Sequence, residues 1–420
     1  MSISSKFCTI GLRALLAVGL CVLMVSGAFA HGERAQLAGM RMRTVHWFDT
    51  QVSVTDLTVG DEITVTGKFL TSEYWPAQLA GLEGGVFLNV GVPGPAFIRI
   101  RSRLNGVPMV RSTKLEKGQV YEYEVRLKAR VAGRYHLHPL LNVKDSGSLV
   151  GKGVWLEVAA APGNEPFVNE LETMQGDVIN LETYGLGAVK VWHIIWLVMG
   201  LAWLLFWLVR KELFIPRMLW VQRAKDADEN PSDIISRREF IVAGVFFAVT
   251  LAVILTGYLY TDAKYPTTIP LQTGFIDVEG TLAPEGALDI VVEKASYKLG
   301  GRSLEVRAQM TNRGDRPLQI SELLTANIRF INPDADQTMP IFPDEGLVAP
   351  RGLKTSTDSI APGETVVVSL LAADSLWETQ RMTGLIADPD SRFAAMLFYH
   401  DDAGEQYYQE IGGYIVPSFF

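Results

Sequence analysis

Cysteine is all but missing from this 420-residue chain: only Cys8 and Cys21 occur, and both fall in the first apolar stretch. That stretch opens on Lys6 and Arg13, runs apolar to Val25 and closes on Ala28-Phe29-Ala30. Those are the three regions of a secretory signal peptide, predicted over residues 1–30. Cleavage after Ala30 leaves a mature chain that begins at His31 and holds no cysteine. No disulfide can then staple it, and any bound metal must be held by nitrogen or oxygen. Charge is scarce as well, 20% of residues against 48% hydrophobic. With a positive mean hydropathy, this points to a membrane protein with soluble parts rather than a cytosolic enzyme. The net charge is −8 and no basic block is interleaved with aromatics, which excludes nucleic acid as a partner. GxSxG, P-loop, dinucleotide-binding and HExxH patterns are all absent, so the chemistries those motifs carry are excluded too.

What is present begins with two long apolar runs. Val191 to Val209 and Phe240 to Tyr260 contain no charged residue, and about 20 apolar residues suffice for a helix to cross the hydrocarbon core. Trp192, Trp207, Tyr258 and Tyr260 stand at their ends, where interfacial aromatic belts form. The spans are predicted as residues 190–210 and 239–261. The loop between them, 211–238, holds Lys211, Arg217, Arg223, Lys225, Arg237 and Arg238 and directly follows Arg210. Only Lys190 and Lys264 flank the outer ends. By the positive-inside rule the loop is cytoplasmic. Both large soluble segments then lie outside, in agreement with the signal peptide.

Those segments, residues 31–185 and 262–420, read as short alternating strands broken by turns. Glu62 to Phe69, Phe97 to Arg103, Val120 to Ala129 and Val154 to Val158 are examples in the first. Leu304 to Met310, Ala326 to Ile331, Thr365 to Leu371 and Met396 to Tyr399 are examples in the second. Strands at this spacing predict β-sandwiches. The fold class expected is therefore mostly β, two periplasmic sandwiches joined through a transmembrane helical hairpin.

Six histidines carry the chemistry that remains. His136 and His138, in Tyr135-His136-Leu137-His138-Pro139, sit at i and i+2. On a strand that spacing puts both rings on one face, about 6–7 Å apart along the backbone. His31 adds to them, because cleavage would place an α-amine beside its imidazole. That amine has an ordinary pKa of about 8, so a metal displaces its proton at modest cost. An N-terminal histidine with an H-x-H pair offers up to four nitrogens and no sulfur, a set that suits Cu(II) while zinc would also accept it. His46 is read as hydrogen-bonded and structural, His193 as lying near an interface, and His400 as opening a polar loop. Asp388, Asp390, Asp401 and Asp402 are read as turn formers. No residue is assigned as a catalytic acid, base or nucleophile.

The chain resembles the B subunits of the copper membrane monooxygenases, the family of particulate methane monooxygenase and ammonia monooxygenase. The resemblance rests on His31-Gly32-Glu33, Arg41-Met42-Arg43-Thr44-Val45-His46-Trp47, Phe87-Leu88-Asn89-Val90-Gly91 and Tyr135-His136-Leu137-His138. It extends through Phe214-Ile215-Pro216-Arg217, the run from Lys264 to Gln272, Asp388-Pro389-Asp390-Ser391-Arg392-Phe393 and Ile415-Val416-Pro417-Ser418. It implies two cupredoxin-like periplasmic domains and a copper site at His31, His136 and His138. Also implied are two companion integral-membrane proteins, the A and C subunits, in a trimer of heterotrimers in a bacterial inner or intracytoplasmic membrane. Some methane-oxidising members carry a histidine where this chain has Leu70. Leucine cannot ligate, so a second copper site with His46 is expected to be absent or much weakened.

Three functions compete. The first is a monooxygenase subunit whose complex uses copper and dioxygen to hydroxylate methane or a short alkane, or to oxidise ammonia to hydroxylamine. The second is a copper delivery or storage module, which usually offers exposed methionine or cysteine; here only Met40 and Met42 approach a methionine cluster. The third is an assembly scaffold whose copper is incidental. The run from Lys264 to Gln272 leans towards the methane or alkane branch.

Overall fold

Alternation in segments such as Glu62–Thr71, whose Ile63, Val65 and Phe69 are fully buried, makes one face of each strand apolar and so demands a second layer to cover it. The computed structural model describes residues 36–92, 94–172, 176–209, 214–227, 236–264, 274–284, 286–298, 302–335 and 346–418. Residues 1–30, where a signal peptide is expected, and His31 lie outside the described residues. The chain forms two compact units, Met1–Glu165 with Gly274–Phe420, and Pro166–Thr273.

The first unit opens with a short helix α1 (Ala38–Arg43), followed by β1 (Val45–Val52), β2 (Asp56–Thr58), β3 (Glu62–Thr71), β4 (Val86–Gly91) and β5 (Phe97–Leu104). Then come β6 (Val107–Pro108), β7 (Gln119–Ala129), β8 (Gly133–Val143), β9 (Gly147–Val150) and β10 (Val154–Ala159). One sheet runs β1-β3-β7-β5-β6; the other runs β2-β10-β8-β4, with β9 added on β8. Ile63, Phe69, Tyr121 and Val125 of the first share a core with Leu137, Leu141 and Leu156 of the second, so the two sheets form a sandwich.

After the second unit the chain returns through β13 (Thr281–Leu282), which extends the first sheet by pairing with β7. Next come β14 (Leu288–Lys298), β15 (Ser303–Asn312), β16 (Leu318–Thr325), β17 (Ile328–Ile331) and β18 (Val348–Ala349). The chain closes with β19 (Leu353–Thr355), β20 (Thr365–Ala373), β21 (Arg392–Asp401) and β22 (Gln406–Ser418). They form one ladder, β18-β17-β16-β21-β22-β14-β15-β20-β19, folded over a core of Tyr297, Phe330, Phe393 and the fully buried Trp377. A third apolar cluster, Phe48, Leu70 and Val120 against Leu324, Met396 and Phe398, joins the two β regions. The strand expected over 326–331 starts only at Ile328: Ala326 and Asn327 have positive φ and form the β16–β17 turn.

Helix α1 ties the front of the chain to the C-terminal sheet. Ala38 and Met42 belong to its core. Arg43, 1% exposed, donates to the carbonyls of Asp390 at 2.8 Å and Arg392 at 2.7 Å and to the Asp388 carboxylate at 2.9 Å. Asp390 accepts from Arg392 Nε at 2.8 Å. That bond, with the charges of Arg43 and Arg392, holds the Asp390 carboxyl below its ordinary value, although burial pulls the other way. A depressed carboxylate contributes stability that is present above its unfolded pKa, about 3.9, and lost as pH falls through the folded value. Thermal unfolding of the full chain from about pH 5 to 3 is expected to show a shallower loss of Tm in Asp390→Asn than in the parent. Equal slopes would remove Asp390 from the acid response.

The second unit contains a small hairpin, β11 (Glu170–Glu172) with β12 (Val178–Asn180), and three helices, α2 (Leu186–Val209), α3 (Phe214–Asp226) and α4 (Arg237–Lys264). Helices α2 and α4 are long and apolar enough to cross a bilayer. Side chains such as Leu197, Phe240 and Tyr258 are 61%, 73% and 68% exposed, which a buried core helix would not allow. The two pack on each other through Trp203 stacked on Phe246 at 4.5 Å, and through Gly257, where a Cβ would lie 3.2 Å from Trp192.

Candidate metal centre

Strand β8 alternates Leu137 and Leu141 into the sandwich core, and therefore sends His136 and His138 to the opposite face of the sheet. His136 pairs in register with Trp155 of β10, and His138 with Gly91 of β4. The two imidazole rings stand 4.3 Å apart, centroid to centroid, at 77°. His136 stacks on the Trp155 indole at 4.5 Å and 23°. Arg134, two residues back on the same face, lays its guanidinium over that indole at 4.4 Å and pairs with Glu157 at 3.1 Å. This ladder restrains the His136 ring.

His138 is buried and is fixed differently. Its Nδ1 lies 3.0 Å from the Gly151 carbonyl; a carbonyl only accepts, so Nδ1 carries the proton and the lone pair sits on Nε2. The two rings converge beside Gly153: a Cβ built there would lie 2.5 Å from His136 Nε2 and 2.5 Å from His138 Cε1. The absent side chain keeps that approach open. The sequence pattern names the two histidines, but Gly153 has no signal beyond that of an ordinary turn glycine.

His31 lies outside the described residues, and among the described residues no group of three or more metal-ligating side chains is found. Gln36, five residues on, is placed. Its amide donates to the Ser148 carbonyl and accepts from the Val150 N–H at 3.0 Å, one residue from the carbonyl that holds His138.

The other histidines are placed elsewhere. His46, buried, puts Nε2 3.0 Å from Glu410 Oε1, and the second Glu410 oxygen accepts from the Glu73 N–H at 2.9 Å. Leu70 lies directly opposite His46 in the β1–β3 register. His193 bonds the Val189 carbonyl one turn back in α2. His400 is a buried residue of strand β21 rather than of a loop. Asp401 then makes the turn, its Oδ1 accepting from the N–H groups of Ala403 and Glu405.

A family model for the monooxygenase B-subunit protein matches residues 32–419. The chain is 37% identical over 417 residues to the particulate methane monooxygenase alpha subunit of Methylococcus capsulatus (strain Bath), a match covering 99% of this chain and 98% of that relative. Among solved structures, the cupredoxin domain of amoB from Nitrosocaldus yellowstonii aligns at 18% identity and a TM-score of 0.25, over 32% of this chain and 99% of that one.

Proposed function

This chain belongs to the monooxygenase B-subunit family, and we propose that it is the copper-carrying, membrane-anchored member of a membrane monooxygenase complex. The convergence of His136 and His138 beside Gly153 carries this reading. Processing after Ala30 adds the amine and imidazole of His31, which completes an all-nitrogen set suited to Cu(II). The groups around the pair fit such an ion: a proton fixed on His138 Nδ1, and a cleft that a Cβ would fill. Copper held there supplies redox chemistry for the activation of dioxygen. The chain's own residues hold and orient: Gly151 sets the His138 tautomer, Trp155 restrains the His136 ring, and Gly153 keeps the approach clear.

The complex inserts one atom of dioxygen into a C–H bond of methane or a short alkane, and the other leaves as water with electrons and protons from a reductant. The full-length relative that bears the methane monooxygenase name supports this substrate class. The basic residues between α2 and α4 support a cytoplasmic loop, with the β-sheet unit outside the inner membrane. The exposed apolar faces of α2 and α4 meet lipid and the two companion proteins, the A and C subunits.

The test uses the full chain, processed to His31, in lipid nanodiscs, titrated with Cu(II) and followed by metal analysis and EPR. The parent is expected to bind copper tightly with a tetragonal nitrogen spectrum, and His136→Ala with His138→Ala to lose both. Parent-like copper in the double variant would sink the assignment. Copper lost while the assembled complex turns over unchanged would make this chain a scaffold.

A further inference from the structure

The carbonyl that fixes His138 sits in a dipeptide gripped from three directions. The Gly151 N–H bonds the Pro139 carbonyl of β8 at 2.8 Å, and the Val150 N–H bonds Gln36 Oε1 at 3.0 Å. The third grip comes from the C-terminal sheet: Asn327 Nδ2 donates to the Val150 carbonyl at 2.9 Å. All of these groups lie in one compact unit.

Asn327 is built for that contact at a cost. It is 4% exposed, and its Oδ1 is buried with no hydrogen-bond partner among the described residues. It forms the β16–β17 turn with Ala326, at φ 67° and 50°. A two-residue hairpin turn of this kind favours glycine or a short polar residue at such angles. Glycine at 327 would close the turn without burying an amide. Strain and an unpaired acceptor kept together point to a function.

We infer that Asn327 is a positioning residue for the copper centre. It acts through Val150 and Gly151 on the orientation of His138, so the C-terminal sheet sets the geometry of a site whose two placed histidines stand on β8 of the N-terminal sandwich. The inference rests on the His136–His138 site proposed above. Outer partners of metal-bound histidines typically change affinity about 10–100-fold; Asn327 stands one bond further out, and about 10-fold is expected.

The test uses Asn327→Gly, which keeps the turn and removes the amide, and Asn327→Asp, which keeps size and turn preference but has no donor. Both are compared with the parent and with His136→Ala/His138→Ala, as full chains in nanodiscs with Cu(II) as the probe. Asn327→Gly is expected to fold with a Tm near that of the parent and Asn327→Asp with a lower one, since its carboxylate faces the Val150 carbonyl; both are expected to bind copper about 10-fold more weakly and to shift the EPR parameters. A purely structural role would move Tm and leave the spectrum alone. Parent affinity and spectrum in either folded Asn327 variant, with copper lost from the double histidine variant, overturn this inference alone. Copper retained by the double variant overturns the site itself, and the inference with it.

Discussion

Gly153→Ala is expected to abolish tight copper binding while the apo chain keeps its fold. The substitution adds only a methyl group, but its carbon would stand 2.5 Å from both His136 Nε2 and His138 Cε1. Carbon and nitrogen in ordinary contact need more than 3 Å, so the rings must yield. Gly153 is not among the glycines at positive φ, hence alanine meets no backbone strain there, and the whole cost falls on the rings. His136 can slide along Trp155 and His138 can turn from Gly151; either motion relieves the clash at modest expense in stability. What is lost is the shared point, and a site must be held within about 0.5 Å to keep its chemistry. We expect copper affinity to fall about 100-fold or more, the upper end of the range for outer-shell disruption, with Tm of the metal-free chain near that of the parent. Metal analysis and EPR across a Cu(II) titration, beside a melt of the apo chain, read both. A Gly153→Ala chain that binds copper as the parent does would mean that the two rings do not converge on the ion at this point.

How much of this is legible in the sequence depends on which face of a strand is wet. Glu62–Thr71 and Gln119–Ala129 alternate because one side faces a core and the other is more open, and period-2 reading finds such strands. Leu318–Thr325 is buried along nearly its whole length, with Glu322 at 0% exposure satisfied by Arg329 at 2.7 and 2.8 Å. Coverage on both sides erases the alternation, and the strand leaves no period-2 signal. Val45–Val52 hides for the same reason, Trp47 in one core and Phe48 in the cluster that joins the β regions. Ala326-Asn327 lacks the Asn-Gly signature of a hairpin turn, so it reads as strand. The histidine pair is visible because both rings lie on one strand two residues apart. Gly151, Gly153 and Asn327 act through space, from a loop and from a hairpin 177 residues beyond Val150, a relation that no local pattern encodes.

The same blindness explains Arg43, whose replacement by alanine is expected to lower Tm by about 6 °C. Asp388-Pro389-Asp390 does make a local turn, with the Asp390 N–H on Asp388 Oδ1 at 2.9 Å, and that local role conceals the long-range one. Arg43 reaches this turn from 345 residues away and meets both Asp388 oxygens, at 2.9 and 3.1 Å, and the carbonyls of Asp390 and Arg392. Side-chain exposure is 1% for Arg43 and 10% for Asp388, so water cannot replace what alanine removes. Deleting one partner of a buried pair costs about 3–5 kcal/mol. At roughly 1.5 °C per kcal/mol for a compact unit of this length, the shift lies near 6 °C. Arg43→Lys is not a rescue, since one ammonium cannot span a carboxylate and two carbonyls in the planar arrangement of a guanidinium. The approach is also close at α1, where a Cβ on Gly39 would collide with the Asp388 carboxylate. Melts of the full chain in nanodiscs, followed by tryptophan fluorescence, measure the effect, and a shift under about 3 °C would show the clamp to be dispensable. Because α1 begins two residues after Gln36, the variant also loosens the Gln36 contacts with Ser148 and Val150, next to the carbonyl that holds His138. Copper affinity is therefore expected to fall with stability in Arg43→Ala, whereas in Gly153→Ala affinity falls alone.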